Sequence, residues 1–439
     1  MKLIPVFLLL IVFPFAKGQT GEYPVDYESL TYRLFTESKW DSLLIKGKEA
    51  IKSGSDYFYI YVRTGAAAYH LKKYALASMY LEKARILNAS DNYTNELLFY
   101  SYLNTARNNS AKLLTNEIGY GDSLYSEYIH PVYYAEGGLM TTDDPAERGK
   151  GRRMKEIKYN YREQFKENTG LYFVTGWNQP LGTRTSLHAA ISYTKISKER
   201  NITVKNYDSV SGDYSVKQSE FYLAPSFIPV TRLLITPSFR YSMTAISEPL
   251  SGTDSLVKKY QVSQISSNYF NFNLGSEFTY YRNYWHAKFG FWFLDLNSRS
   301  GFQSSASIFL LPLGNTGLYT NSEVTWKNDR PQDPFIFTQM IGLKLYKETW
   351  LELSYTNGNL AGTVENNAQI LNNQIEDTDY RLTGLLFADI TRHIRIVLRC
   401  QYIRSNGTIY YTDIENAGLN QNYKFSRQIL TGGLTWNIF

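Results

Sequence analysis

The stretch YFNFNLGSEFTY, residues 269–280, sets Phe270, Phe272, Leu274, Phe278 and Tyr280 on one parity and Asn271, Asn273, Glu277 and Thr279 on the other. Successive side chains of an extended strand point to opposite faces, so a period of two reads as a strand with one apolar and one polar side. WHAKFGFWF, residues 285–293, repeats the pattern, with Trp285, Ala287, Phe289, Phe291 and Phe293 against His286, Lys288 and Gly290. In residues 394–403, Ile394, Ile396, Leu398 and Tyr402 oppose Arg395, Arg399 and Gln401. An apolar face opposite a charged one suits a strand with lipid on one side and a polar lumen on the other. A soluble sandwich alternates too, because its inner faces are apolar.

The connections separate the two. Short ones fall at residues 179–182, 229–231, 281–283, 313–315, 347–348 and 389–392, and longer ones between them at 197–217, 247–264, 297–300, 327–334, 358–377 and 405–425. Short turns at one end and longer loops at the other are the habit of a membrane barrel, with the short side periplasmic. Counting back from the C-terminus gives twelve strands from Arg184, and Gly170–Trp177 makes a thirteenth. A chain with both ends in the periplasm needs an even number. A fourteenth strand is therefore expected, at Pro131–Thr141 or Ile157–Phe165, with a twelve-stranded barrel as the alternative.

Composition agrees. Tyr 38, Phe 24 and Trp 7 make 16% of the 439 residues aromatic, an excess that suits two membrane interfaces, where rings with polar tips are satisfied. Mean hydropathy is −0.35, and beyond residue 18 no apolar run approaches the roughly 18 residues of a transmembrane helix, which excludes a helical membrane bundle. The 46 basic and 40 acidic residues are interspersed, and the formal charge of +6 makes no case for nucleic acid. One cysteine, Cys400, excludes an intrachain disulfide framework and a multi-thiolate metal site, and reads as a small surface or packing residue. At the N-terminus, Met1 and Lys2, the apolar run Leu3–Ala16 and the small residues of Ala16-Lys17-Gly18 read as a signal peptide over residues 1–18.

Residues 26–118 change to helical periodicity. Four or five helices are expected, at residues 27–37, 39–53, 56–71, 75–87 and 92–117, the last either continuous or broken near Asn108. A linker at 119–153 follows, with Gly137-Gly138, Asp143-Asp144-Pro145 and the basic residues Arg148, Lys150, Arg152 and Arg153; it has room for the first strand. The basic run reads as a solvated loop. The barrel then occupies residues 154–439.

Tyr61, Gly65, Ala77, Leu81 and Ala84 resemble a tetratricopeptide repeat, with small residues where two helices pack closely, and Ala50 stands one 34-residue period before Ala84. The resemblance implies a stacked helical surface that holds a peptide or partner protein. In the last strand, Arg427–Phe439, the residues Thr431, Gly433, Trp436 and Ile438 with the terminal Phe439 resemble the signal by which outer-membrane barrels are recognised for assembly. Leu430, Leu434, Trp436 and Ile438 would face lipid, with Thr431, Gly433, Thr435 and Asn437 inside. The terminal Phe439 is one step out of phase with that outer row. The whole layout is similar to a group of outer-membrane proteins of Bacteroidetes-type bacteria, and more loosely to exopolysaccharide export porins. It implies a Gram-negative outer membrane with the helices in the periplasm. For the exporters it also implies a glycan passing through the barrel while the helices recruit periplasmic factors.

No constellation announces catalysis. Of the histidines His70, His130, His188, His286 and His393, only His188 and His286 alternate inward on barrel strands, and neither sits in a recognisable signature with serine. No His-x-x-x-His pair, metal-spaced carboxylate cluster or glycine-rich phosphate loop occurs, so no catalytic, cofactor or metal residue is expected. The expected lumen lining is charged with both signs: Glu220, Arg240, Glu277, Lys288, Lys344, Glu352, Arg395 and Arg399. The reading that follows is a transport pore or export conduit for a small solute or glycan, with helices that recruit a periplasmic partner. A non-conducting scaffold barrel and a lipid-modifying enzyme are the alternatives.

Overall fold

The structure, a computed structural model, describes residues 26–117, 130–143, 159–204, 210–254, 259–297, 299–328, 334–374, 376–413 and 418–437. The signal segment at residues 1–18, the basic run of the linker, and Ile438 and Phe439 lie outside the described residues.

Six helices come first: α1 (Tyr27–Thr36), α2 (Trp40–Lys52), α3 (Phe58–His70), α4 (Tyr74–Leu87), α5 (Asn92–Leu103) and α6 (Asn108–Glu117). Asp26 caps α1 by accepting from the amides of Glu28 and Ser29, and Asp91 caps α5 by accepting from that of Thr94. The chain reverses between helices at Ser38, Lys72 and Ala106, each with positive φ. Ala106 sits where the expected long helix over 92–117 divides in two. Leu43, Ile60, Leu81 and Phe99 are buried in the core that the helices share. Gly65 lies where α3 crosses α4, and an added Cβ would stand 2.7 Å from Leu81 Cγ, so the two helices approach this closely only because the side chain is missing.

The rest is one closed antiparallel barrel. Its strands are β1 (Val132–Thr142), β2 (Tyr159–Pro180), β3 (Thr185–Val204), β4 (Val210–Val230), β5 (Leu233–Asp254), β6 (Lys259–Tyr281), β7 (Trp285–Leu296), β8 (Arg299–Leu310), β9 (Leu318–Lys327), β10 (Phe335–Tyr346), β11 (Thr349–Asn357), β14 (Asp377–Asp389), β15 (Ile394–Asp413) and β16 (Gly418–Asn437). The short strands β12 (Thr363–Glu365) and β13 (Ile370–Asn372) pair only with each other. Fourteen strands close the wall, and β1 seals it, pairing with β16 from Val132↔Asn437 to Thr142↔Arg427 and with β2 from Val132↔Asn178. Both candidate sites for the missing strand are extended where described: β1 covers the first, and the described part of the second, from Tyr159, runs without a break into Gly170–Trp177 to make β2.

Several strands are longer than the alternation suggested. The segments 197–217, 247–264 and 405–425, read as long loops, are largely continuations of β3–β4, β5–β6 and β15–β16, with pairs such as Lys198↔Tyr214 and Ile409↔Gln421. Beyond the apolar band no lipid demands an apolar face, so the period of two vanishes from the sequence while main-chain pairing continues. Within the band the two faces differ sharply: Phe270 is 61% exposed and its neighbour Asn271 1%.

Candidate functional site

The connection between β11 and β14, residues 358–376, does not rise away from the barrel. It turns inward and carries the β12–β13 hairpin into the lumen. Gly358 starts the turn with φ of 117°, and an added Cβ there would meet the Phe335 carbonyl oxygen at 2.7 Å. At the hairpin tip Asn366, Asn367 and Ala368 all adopt positive φ, a conformation that asparagine tolerates better than most residues.

Apolar contact seats the hairpin. Val364 and Ala368 pack into a cluster with Val174, Ala190, Tyr222, Ala224, Trp292, Leu294 and Leu296 from the wall. This accounts for the inward row Trp292, Leu294 and Leu296 on β7, where a water-filled lumen would call for polar residues. The hairpin's main chain then needs partners, because a buried peptide group left unpaired costs roughly 1–3 kcal/mol. Wall side chains supply them. Gln303 donates from Nε2 to the Val364 carbonyl at 2.7 Å and accepts the Val364 amide at 3.0 Å. Lys327 Nζ donates to the Ala361 carbonyl at 2.8 Å, Arg240 Nε to that of Ala368 at 2.7 Å, and the Tyr222 hydroxyl to that of Asn367 at 3.0 Å.

Ionic contacts hold both arms of the hairpin, Glu365 on the incoming β12 and Glu376 on the outgoing side. Arg381 grips Glu365 through both terminal nitrogens, at 2.9 and 2.6 Å. Farther along, Glu376 bonds Lys198 Nζ at 2.5 Å and Arg427 Nη2 at 2.9 Å, while Arg427 also clasps Glu167 of β2 at 2.5 and 2.8 Å. Lys198, Glu167 and Arg427 are buried. Removing one partner from a buried set like this costs about 3–5 kcal/mol, much of it the desolvation of the charge left behind. Beside the hairpin remains a cavity of about 500 Å³, bordered by both wall and hairpin.

Of the expected lining residues, Glu220, Glu352 and Arg399 border this cavity. Glu220 pairs with Arg240 at 2.6 Å, Glu352 accepts the Tyr319 hydroxyl at 2.6 Å, and Arg399 pairs with Glu136 at 3.1 Å. Glu277 and Lys288 pair with each other at 3.1 Å. Lys344 and Arg395 stand near the short turns, paired with Glu348 and Asp389. His188 Nε2 lies 3.0 Å from the Tyr134 hydroxyl, which accepts from Gln369 of the hairpin at 2.9 Å, and His286 packs between Tyr281 and Phe309. Neither ring has a serine hydrogen-bonded to it among the described residues. At the barrel seam, Leu430 and Leu434 are exposed on the outside, Thr431 is buried, and Trp436 stacks on Tyr133. An added Cβ at Gly433 would meet Glu136 Cγ at 2.5 Å, so this glycine makes room for a neighbour across the seam.

The helices meet the barrel at its short turns. The Ala75 amide donates to the Gly314 carbonyl at 2.8 Å, Asn283 Nδ2 to Ser78 Oγ at 2.8 Å, and Ser110 Oγ to the Thr231 carbonyl at 3.1 Å. Lys112 Nζ donates to the Thr185 carbonyl at 3.1 Å, and burial holds its ammonium below the ordinary lysine range. The strongest contact is Glu82, which binds the buried Arg107 at 2.9 Å and Arg232 of the β4–β5 turn at 2.6 Å. Tyr102 also donates to it at 3.1 Å, and burial together with this carboxylate raises the phenol well above its usual range. Tyr61, Gly65, Ala77, Leu81 and Ala84 are all buried in the helical layer.

Sequence reasoning found the wall and missed its stopper. Residues 358–377 read as a long loop by length; the signal for the hairpin is a second alternation inside it, Thr363-Val364-Glu365 and Ile370-Leu371-Asn372, around an Asn-Asn turn.

No family model and no curated protein sequence matches the chain. Among solved structures it is similar to the P. putida toluene transporter TodX, with 8% identity over 70% of this chain and 90% of that one and a TM-score of 0.46. A Pseudomonas aeruginosa FadL homologue aligns with 8% identity over 71% of this chain and 91% of that one, TM-score 0.41. A triple mutant of the Rhodopseudomonas blastica porin aligns with 7% identity over 70% and 99%, TM-score 0.31.

Proposed function

We propose that the chain is a transport conduit of the outer membrane, closed in this state by the inward hairpin, with its helices on the periplasmic rim. The observation that carries this reading is the stopper itself. Eight strands give a barrel that side chains can fill, whereas barrels of 16 to 18 leave an aqueous channel; with fourteen strands the wall alone leaves space. Here a single connection occupies part of that space and is held by hydrogen bonds and ion pairs to many strands. A cavity of about 500 Å³ is of the size that takes small molecules, which favours a small solute over a glycan polymer. The helices bind the short-turn side, the periplasmic one in membrane barrels. In this reading their remaining surface, tetratricopeptide-like in its α3–α4 packing, recruits a periplasmic partner.

Replacing residues 359–374 with a short Gly-Ser link and recording single channels in planar bilayers tests the proposal. The expected result is a stable open channel where the unaltered protein is mostly silent. A folded deletion variant that stays silent would return the barrel to a scaffold role.

A further inference from the structure

The charges around Glu376 are shared unequally between wall and hairpin. Lys198 on β3, Arg427 on β16 and Glu167 on β2 belong to the wall and together carry one excess positive charge; Glu376, the residue before β14, neutralises it. If the arm carrying Glu376 withdraws, two buried cations keep one carboxylate between them. A buried charge without a counter-ion is strongly disfavoured, so opening creates a demand for an anion at this point.

What lies beside the cations says more about that anion. Two residues from Lys198 on the same face is Ile196, and the register carries its row around the wall: Ile246↔Val216, Val216↔Ile196, Ile196↔Gly170, Gly170↔Met140, Met140↔Ile429. This row spans β5 to β16 as a belt of aliphatic side chains interrupted only by Gly170, where an added Cβ would stand 2.9 Å from Met140 Cε. At about 4.8 Å between neighbouring strands the belt is roughly 24 Å long. The next row, Thr244, Gln218, Thr194 and Tyr172, is polar again. The belt, Lys198, Arg427 and Glu376 all border the same cavity. Sulfate-like ions alone would leave these aliphatic side chains unused, and a neutral apolar solute would leave the cations bare.

We propose that Lys198 and Arg427, with the aliphatic row beside them, form a seat for an amphipathic organic anion, and that Glu376 fills the place of its acidic head while the lumen is closed. The ligand's acidic group and Glu376 compete for the same two cations, so binding and withdrawal of the hairpin arm favour each other, as linkage requires. This assignment rests on the conduit reading for its consequence, opening, but not for the binding itself.

The test uses the full-length protein in nanodiscs, titrated calorimetrically with hexanesulfonate, hexan-1-ol, hexyltrimethylammonium and sulfate. Hexanesulfonate is expected to bind at least tenfold more tightly than the other three. Glu376→Gln removes the competing charge and leaves both cations in place; it is expected to tighten hexanesulfonate about tenfold, within the usual range of such couplings. Equal binding of hexyltrimethylammonium, equal binding of sulfate, or an affinity that Glu376→Gln leaves unchanged would each overturn the seat. The two readings fail separately. A silent hairpin deletion alongside a tightened Glu376→Gln variant removes the conduit and keeps the seat, whereas a conducting deletion with indifferent hexanesulfonate binding does the reverse.

Discussion

The helical layer and the barrel bury opposite things. Among the helices Leu43, Ile60, Ala66, Leu81 and Phe99 are buried and the charged residues lie mostly outside, as water requires. In the barrel, Asn271, Asn273, Thr244 and Arg240 are buried, while Phe270, Leu274, Phe289 and Leu430 face outward. The same residue type therefore carries opposite meaning on either side of the linker. The hairpin shows that the inversion is not complete: where it enters the lumen, β7 turns Trp292, Leu294 and Leu296 inward and rebuilds a small water-type core inside the barrel. Polarity follows what each face touches, whether lipid, water or protein, and not which element it belongs to.

The largest effect is expected where the two regions join. Glu82 belongs to a helix, yet it neutralises both Arg107 in the helical layer and Arg232 on a barrel turn. Arg107 is fully buried and has two further guanidinium nitrogens without a hydrogen-bond partner among the described residues. Glu82→Ala is expected to cost about 3–5 kcal/mol, the cost of stranding a buried charge. It should appear as loss of hydrogen-exchange protection in α4–α6 with the barrel strands unaffected. Equal loss in both would show that helices and barrel unfold as one unit and blunt the contrast between them.

Next comes the inversion itself. Leu274 points to lipid and Asn273, its neighbour, into the lumen. Leu274→Arg is expected to destabilise the barrel by about 2–4 kcal/mol, the cost of a cation on the lipid face near the midplane. Leu274→Ala should cost far less than the same truncation at the tightly packed Leu81, because lipid closes the gap on the barrel surface and nothing does beneath Gly65. Denaturant unfolding in lipid vesicles reads both; similar costs at the two leucines would break the comparison.

How much of this was legible from residues alone follows the same line. Lipid imposes a strict period of two, so the wall, its outward aromatics and the fourteen strands could be read. Helical periodicity located the helices and allowed for the break near Asn108. The strand extensions could not be read, because two polar faces leave no period. Nor could the hairpin: Val364 and Ala368 are too few to announce a core, and their partners Tyr222, Trp292 and Leu294 lie far away in the chain. The charged residues expected in the lumen follow from alternation alone, and alternation carries no information about their pairing. Lys198, Glu167 and Arg427 escaped notice because they meet only through the barrel's closure, with Glu167 and Arg427 on strands at opposite ends of the wall's sequence.

The smallest effect concerns His70, at the end of α3, whose ring stacks on Trp40 at 4.1 Å. Burial holds its imidazole below the ordinary value of 6.5. A histidine depressed in the folded state takes up a proton more readily once unfolded, so stability rises with pH across this window. The α2–α3 contact should be at full strength above about pH 6.5 and weaken as pH falls toward the folded value, modestly, because the ring is largely exposed. Hydrogen exchange of α3 in the intact protein, corrected for intrinsic rates between pH 7.5 and 5, should show this slope, and His70→Gln should flatten it. Protection that grows on acidification would mean that the charged ring gains more from the face of Trp40 than it loses by burial. The helical layer would then tolerate a charge against an aromatic core much as the lumen tolerates Arg240 against Tyr222, and the two regions would differ less than their burial suggests.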